Sequence, residues 1–423
     1  MKRTALSQLA RRTPEPSISW LMKLTLDRPE LISLAAGFTD NDSLPVDETR
    51  ALIDDILRSP RAGRPALQYG STNGDPHLRE LTAAHLRRCD CAKTSAEHDV
   101  SRMLITSGSQ QLLYITTEAL CDEGDIVLVE DPTYFVYLGI TQSHGLRTRG
   151  VRLLEDGLDL AHLEQVLEEL KRAGDLPRVK LLYLVTYFQN PTGRTTTLKK
   201  KAAALALLKK YERAAGHPIY LLEDAAYREL RFAGDDIQSA LMTRHADRVI
   251  YAGTYSKPFA TGARVGFGML PQEVFAAASR IKGNHDFGTS NLLQQLLSHA
   301  LSSGAYDKHL PLLRQRYAAK SATMTRAIRE HFPNSVEWAE PRGGLYVWAQ
   351  LSARVKSGVK SPVFAAALKT NVLYVPGELC YCDDASRRKP NRELRISFGG
   401  AREANIPEGI KRLADAMKVS GVR

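Results

Sequence analysis

At 423 residues the chain exceeds what one hydrophobic core supports, so two domains sharing a cleft are expected. Hydrophobic content of 43% and charged content of 25% are those of a soluble globular protein, and no apolar run approaches the about 18 residues of a membrane span. The formal net charge of +11 is scattered apart from short runs at Lys199 to Lys201 and Arg387 to Lys389, which favours attraction of anionic small molecules over a nucleic-acid footprint.

In chain order, the N-terminal stretch MKRTALSQLARR is basic and has no acid before Glu15, which faintly resembles a transit peptide, but it lacks the apolar core of a secretory signal and reads foremost as a frayed or docking arm. Five cysteines, an odd number, suit a reducing, cytoplasmic setting. The Cys89/Cys91 and Cys380/Cys382 pairs lie far apart and lack the usual zinc spacing, so no metal is expected.

From about Leu104 to Leu270 short apolar runs alternate with helical patterns. MLITSG, DIVLVEDP, LLYLVTY, IYLLED and RVIYAGTYS read as buried strands, each ending in a loop of small or polar residues. Between them, SQQLLYITTEALCDEG and the run from Thr197 to Gly216 read as helices, the second closed by Gly216. This predicts an α/β domain whose mostly parallel central sheet is covered by helices. After about Ala300 comes a long helix, KHLPLLRQRYAAKSATMTRAIREHF, and then the short strands VEWAEP, GGLYVWAQL, VLYVPG and LRISFGG. They indicate a smaller α+β domain, giving an arm and part of the small domain over 1–45, a large domain over 46–300 and the rest of the small domain over 301–423.

Ligands of such sheets bind at the carboxyl ends of the strands. The first strand runs into Ser107-Gly108-Ser109-Gln110, which is either a phosphate-binding helix start or a simple cap. The second places Tyr134 after Pro132, as a ligand platform or a core aromatic. The third ends in Asn190-Pro191-Thr192-Gly193, a turn that could aim the Asn190 amide at a bound ring. The fourth ends at Asp224, with Tyr227 three residues on; a buried aspartate there needs a cationic or proton-sharing partner, though a helix cap is the plainer reading. The fifth ends at Lys257 among Thr254, Ser256 and small residues, with Arg264 seven positions later. Partial desolvation would make that lysine a nucleophilic amine, and the arginine would suit a phosphate. Pyridoxal phosphate requires all of these together: an amine for its aldehyde, an acid for its ring nitrogen and a cup for its phosphate.

The ordered motifs SGSQ, DPTY, QNPTG, EDAAY, TYSKPFATGARVGF, PRGGLYVW and NRELRISF resemble class I/II aminotransferases of fold type I, in the branch with 2-aminoadipate and kynurenine aminotransferases. The likeness runs from about Ser33 to Gly400. It implies a cofactor bonded to Lys257, which also moves the substrate's α proton, with Asp224 on the ring nitrogen. It implies Asn190 and Tyr227 on the phenolic oxygen, Tyr134 on the ring, and Ser109, Gln110, Thr254, Ser256 and Arg264 on the phosphate. Arg395 would grip the substrate's α-carboxylate and Gly37 would mark the segment that closes over it. A homodimer with shared active sites is implied, Tyr69 reaching the partner's phosphate.

The resemblance implies ping-pong transamination from an L-amino acid to a 2-oxo acid, with 2-oxoglutarate the expected acceptor. The comparable N-terminal stretch PSISW lacks the arginine that relatives acting on acidic side chains may use, while Trp20, Leu21 and Tyr346 suggest an aromatic or aliphatic donor at the entrance. A β-lyase, decarboxylase or synthase on the same cofactor is the alternative, because fold and cofactor do not fix the reaction. An effector-sensing role is remoter, since only about 32 residues precede SLAAG, too few for a fused DNA-binding domain.

Overall fold

The computed structural model describes residues 5–94 and 96–422; the first four residues of the basic arm lie outside the described residues. Its centre is an eight-stranded sheet in the spatial order Met103–Thr106, Gly266–Met269, Val249–Thr254, Tyr220–Asp224, Val179–Val185, Ile126–Asp131, Arg147–Leu154, Gly157–Leu158. The pairings from Val249–Thr254 across to Arg147–Leu154 are parallel, and Gly266–Met269 is antiparallel to both of its neighbours. The five predicted strands are all in this sheet, and the middle of each is buried on both faces, as their unbroken apolar runs require.

Three members were absent from the expected set, one of them the two-residue edge strand Gly157–Leu158. Gly266–Met269 has two glycines in four residues and so carries little strand propensity of its own. It is held instead by pairing on both sides. Arg147–Leu154 alternates exposed and buried positions near the sheet edge, where arginines mask the apolar pattern.

Helices cover the sheet. Ser109–Leu120 starts directly after the first strand, and Leu198–Ala215 is capped by the Thr197 hydroxyl, which accepts from the Lys200 amide, and closed by Gly216 at φ 80°. On its inner face the fully buried Lys201 donates to Glu223 at 2.7 Å, and the carboxylate also accepts from the Thr186 hydroxyl at 2.9 Å and the Ala240 amide at 2.7 Å. These partners satisfy the charge next to Asp224 in the chain.

The C-terminal part carries the long helix Ala305–His331 and a four-stranded antiparallel sheet in the order Glu337–Trp338, Tyr346–Gln350, Glu393–Ser397, Val375–Pro376. The VLYVPG stretch splits between sheets: Val372–Leu373 pairs in parallel with Ile32–Ser33, and Val375–Pro376 joins the antiparallel sheet. The N-terminal segment is thereby tied to the C-terminal part of the chain. No helix among the described residues is long and apolar enough to cross a membrane.

Candidate active site

A cavity of about 220 Å³ opens at the carboxyl ends of the parallel strands. It is lined by Gly37, Ser109, Gln110, Tyr134, Asn190, Asp224, Tyr227, Thr254, Ser256, Lys257, Arg264 and Arg395, so every residue expected at the cofactor or the α-carboxylate meets there except Tyr69.

Lys257 follows the strand Val249–Thr254, and its amine donates to the Gly37 carbonyl at 2.8 Å. Burial, reinforced by the nearby charges of Arg264 and Arg395, brings this amine down to about 8, so about a tenth of it is neutral at pH 7, far more than for an ordinary lysine. Arg264 adopts a left-handed backbone, φ 49°, and its Nη1 donates to the Ser256 hydroxyl at 3.3 Å. The guanidinium lies against Gly108, where a Cβ would come within 2.6 Å of Nη2. Gly108 itself has φ 81° and leads into the helix Ser109–Leu120 without any side-chain cap. Free N–H groups at a helix start and an arginine packed on a glycine form a cradle for a phosphate monoester.

Asp224 ends the strand Tyr220–Asp224 and is only 3% exposed. Its Oδ1 accepts from the Ala226 amide at 3.1 Å and its Oδ2 from the Tyr183 hydroxyl at 2.8 Å. Burial pushes the acid up to about 6 against the pull of those two bonds. It is thus an acid caught between its charged and neutral forms, suited to share a proton with a basic nitrogen.

Asn190 is held from behind by Arg395, whose Nη1 donates to Oδ1 at 2.7 Å, leaving the amide NH₂ directed 3.4 Å from the Tyr227 hydroxyl. Tyr227 in turn lies 2.9 Å, hydroxyl to hydroxyl, from Tyr346. The Arg395 Nη2 donates to the Ala35 carbonyl at 2.6 Å, while Nε is buried without a partner. The guanidinium lies 4.3 Å from the Tyr346 ring centroid. A cation buried to 1% exposure with an orphaned N–H suits a carboxylate ligand.

Three placements differ from expectation. Tyr346 is not an entrance residue: it is 2% exposed and lines the cavity, because strand alternation in Tyr346–Gln350 turns it inward. Trp20 packs on the ring of Phe364 at 5.9 Å and Leu21 is in the core, so neither lines the cavity; Ile18 does, with Phe38, Phe135 and Val136. Tyr183 gave no signal beyond a core tyrosine in an apolar run, and its hydroxyl partner could be found only from the strand register. Tyr69 lies on the surface, 83% exposed, edge-on to Phe287 at 5.4 Å.

The polar segment before Arg395 is a strap. Asp384 accepts from the Gly150 amide at 3.0 Å and pairs with Arg149 at 3.3 Å, and Arg387 pairs with Asp131, the residue before Pro132. Cys380 and Cys382 are buried within it as thiols. Among the described residues one His, Cys and carboxylate cluster has its ligand atoms close together, namely His85, Cys89 and Glu229. His85 Nε2 sits 2.7 Å from Glu229 Oε1, and Arg88 faces its Nδ1 at 3.3 Å. This is hydrogen-bond geometry, closer than two ligands of one ion would stand.

Residues 29–413 match the family described as aminotransferase class I and II. The aromatic-amino-acid aminotransferase 1 of Thermococcus litoralis is 31% identical over 399 residues, covering 94% of this chain and 90% of that protein. The solved structure of Pyrococcus horikoshii kynurenine aminotransferase in complex with PMP superposes with a TM-score of 0.89 at 30% identity, covering 99% of this chain and 98% of that one. The α-aminoadipate aminotransferase of Thermus thermophilus, complexed with N-(5'-phosphopyridoxyl)-L-leucine, gives a TM-score of 0.83 at 30% identity, over 98% and 97% of the two chains. The chain belongs to the class I and II aminotransferase family.

Proposed function

We propose that the cavity holds pyridoxal 5'-phosphate on Lys257. In this reading the chain transfers the amino group of an L-amino acid with an aromatic, aliphatic or 2-aminoadipate-like side chain to a 2-oxo acid, 2-oxoglutarate foremost, in ping-pong order. The observation that carries this reading is one cavity containing a lysine held toward its neutral form, a buried aspartate and the cradle formed by Gly108 and Arg264.

When bound, the cofactor supplies a conjugated ring that takes up the electron pair released at the substrate's α carbon. Lys257 would hold the cofactor through its aldehyde carbon, and its Nζ, once free, would take the α proton from the substrate and hold it for return on the cofactor side of the substrate nitrogen. Asp224 holds the proton of the ring nitrogen, and Asn190 and Tyr227 donate to the ring oxygen with Tyr346 behind Tyr227. Tyr134 covers the ring, and Ser109, Gln110, Thr254, Ser256 and Arg264 hold the phosphate. Arg395 grips the α-carboxylate through its fork, fixing which bond at the α carbon faces Lys257.

The side chain of the substrate meets Ile18, Phe38, Phe135 and Val136, which favours apolar donors. Among the described residues lining the cavity, the cations are Lys257, Arg264 and Arg395, and all three have tasks at the cofactor or the α-carboxylate. In this reading residues 46–300 carry the cofactor, 1–45 and 301–423 close over it, and a second copy completes the site through Tyr69. The exposure of Leu67 at 68%, Tyr69 at 83% and Phe287 at 54% supports a surface meant to be covered. Five unpaired cysteines suit work in the reducing cytoplasm.

Reconstitution with pyridoxal phosphate should give a yellow protein, and borohydride reduction followed by peptide mapping should find the cofactor's mass on Lys257. Lys257→Ala should abolish both. A wild type that takes up no cofactor would contradict the reading.

A further inference from the structure

A carboxylate as deeply buried as Asp224 keeps its charge only if donors hold it. The Ala226 amide, 3.1 Å from Oδ1, is a fixed part of the turn that follows the strand. The remaining donor is a side chain, the Tyr183 hydroxyl, 2.8 Å from Oδ2.

Tyr183 is fully buried in the neighbouring strand, where Val185 is in register with Asp224. Its ring is stacked on Tyr137, with centroids 3.8 Å apart and planes 22° from parallel. The Tyr137 hydroxyl lies 3.1 Å from Thr117 Oγ1, whose own proton goes to the Leu113 carbonyl at 2.7 Å, so Tyr137 donates to Thr117. Among the described residues Asp224 is the one acceptor bonded to the Tyr183 hydroxyl. Stack and register therefore leave that O–H a single direction.

We propose that Tyr183 is a positioning residue that keeps Asp224 ionised and aimed into the cavity, and so sets the pH range over which Asp224 can hold the proton of the cofactor's ring nitrogen. This rests on the reading of the cavity as a pyridoxal phosphate site.

The other titratable groups near Asp224 do not substitute for this bond. Tyr134 and Tyr137 are phenols pushed up by burial and so stay neutral. Glu130 is pushed up to about 8 by burial and is neutral near pH 7. Lys257, Arg264 and Arg395 line the same cavity but make no hydrogen bond to the acid. Without the Tyr183 hydroxyl, desolvation of Asp224 meets less opposition and the acid takes up its proton at a higher pH.

The test uses Tyr183→Phe, which keeps the stacked ring and removes one oxygen. Wild type and variant, each reconstituted with pyridoxal phosphate, are compared in cofactor affinity across pH 6 to 9 and in the pH profiles of the bound cofactor's absorbance and of kcat. The acidic limb should move up by about one pH unit, so cofactor affinity should fall about threefold near pH 6.5 and about fivefold at pH 6, as expected for a lost hydrogen bond to a charged group. Near pH 9, where the carboxyl is ionised in both proteins, affinity should return toward wild type. KM for the amino donor should change little. Tyr137→Phe, whose hydroxyl points away from Asp224, should leave the limb in place.

A Tyr183→Phe protein with a wild-type limb and affinity overturns the inference. So does one equally weak at every pH, because that is the mark of damaged packing. Uptake by the wild type with either result refutes the role of Tyr183 alone, whereas a wild type that binds no cofactor overturns the reading of the cavity together with this inference.

Discussion

The half of the cavity containing Asp224, Lys257 and Arg264 is carried on the ends of adjacent strands of one sheet, whereas the half containing Gly37, Tyr346 and Arg395 is assembled from distant segments. Arg395 reaches the Ala35 carbonyl across 360 positions of sequence, and Lys257 reaches Gly37 across 220. The first half is fixed by the sheet's register. The second depends on how the N-terminal segment is pinned, through Thr39 to Thr261 at 2.7 Å and through Asp40 to the buried Lys320 at 2.7 Å and Arg316 at 3.0 Å. Changes in the first half should therefore appear in cofactor binding and kcat, and changes in the second in KM.

The largest effect expected is that of Asp224→Asn, which leaves the shape and removes the charge. The value of kcat should fall about a thousandfold, within the usual range for a proton-handling group, with little change in KM. Next is a pH effect at Lys257. The reactive form is the neutral amine and burial brings this lysine to about 8, so cofactor uptake by the apo protein should rise with pH and level off just above 8. An ordinary lysine, near 10.4, would offer about a hundredfold less neutral amine at pH 8 and would still be rising at pH 9.5.

On the substrate side, Arg395→Lys keeps the charge but loses the planar fork. Its kcat/KM should drop about 10- to 100-fold, carried by KM, while cofactor affinity holds. A large loss of cofactor affinity in this variant would erase the distinction between the halves. The smallest and sharpest case is Gly37→Ala, because a Cβ there would come within 2.5 Å of the Tyr346 hydroxyl. The clash should raise KM about tenfold, consistent with an overpacking penalty of roughly 1–3 kcal/mol. Adding Tyr346→Phe should restore part of the loss.

The same contrast explains what could be read in the sequence. Ser109, Asn190, Asp224, Lys257 and Arg264 sit in short motifs at the ends of apolar runs, so local pattern and the rule that ligands gather at strand ends locate them together. Tyr183 and Tyr346 sit inside strands, where their spacing resembles any core tyrosine, and their function depends on partners in other strands or loops. Ile18 does not stand out in the sequence from Trp20 and Leu21, because hydrophobicity alone does not tell which face of a short helix meets the cavity. The strand Gly266–Met269 was hidden by its glycines.

The most direct test is a single half-reaction. The reconstituted enzyme is mixed with one amino acid, such as phenylalanine or leucine, with no 2-oxo acid present. The account predicts loss of the cofactor's visible band with release of one equivalent of the matching 2-oxo acid per site, reversed by 2-oxoglutarate. An unchanged band with every amino acid offered, or release of carbon dioxide or ammonia in place of the 2-oxo acid, would contradict it.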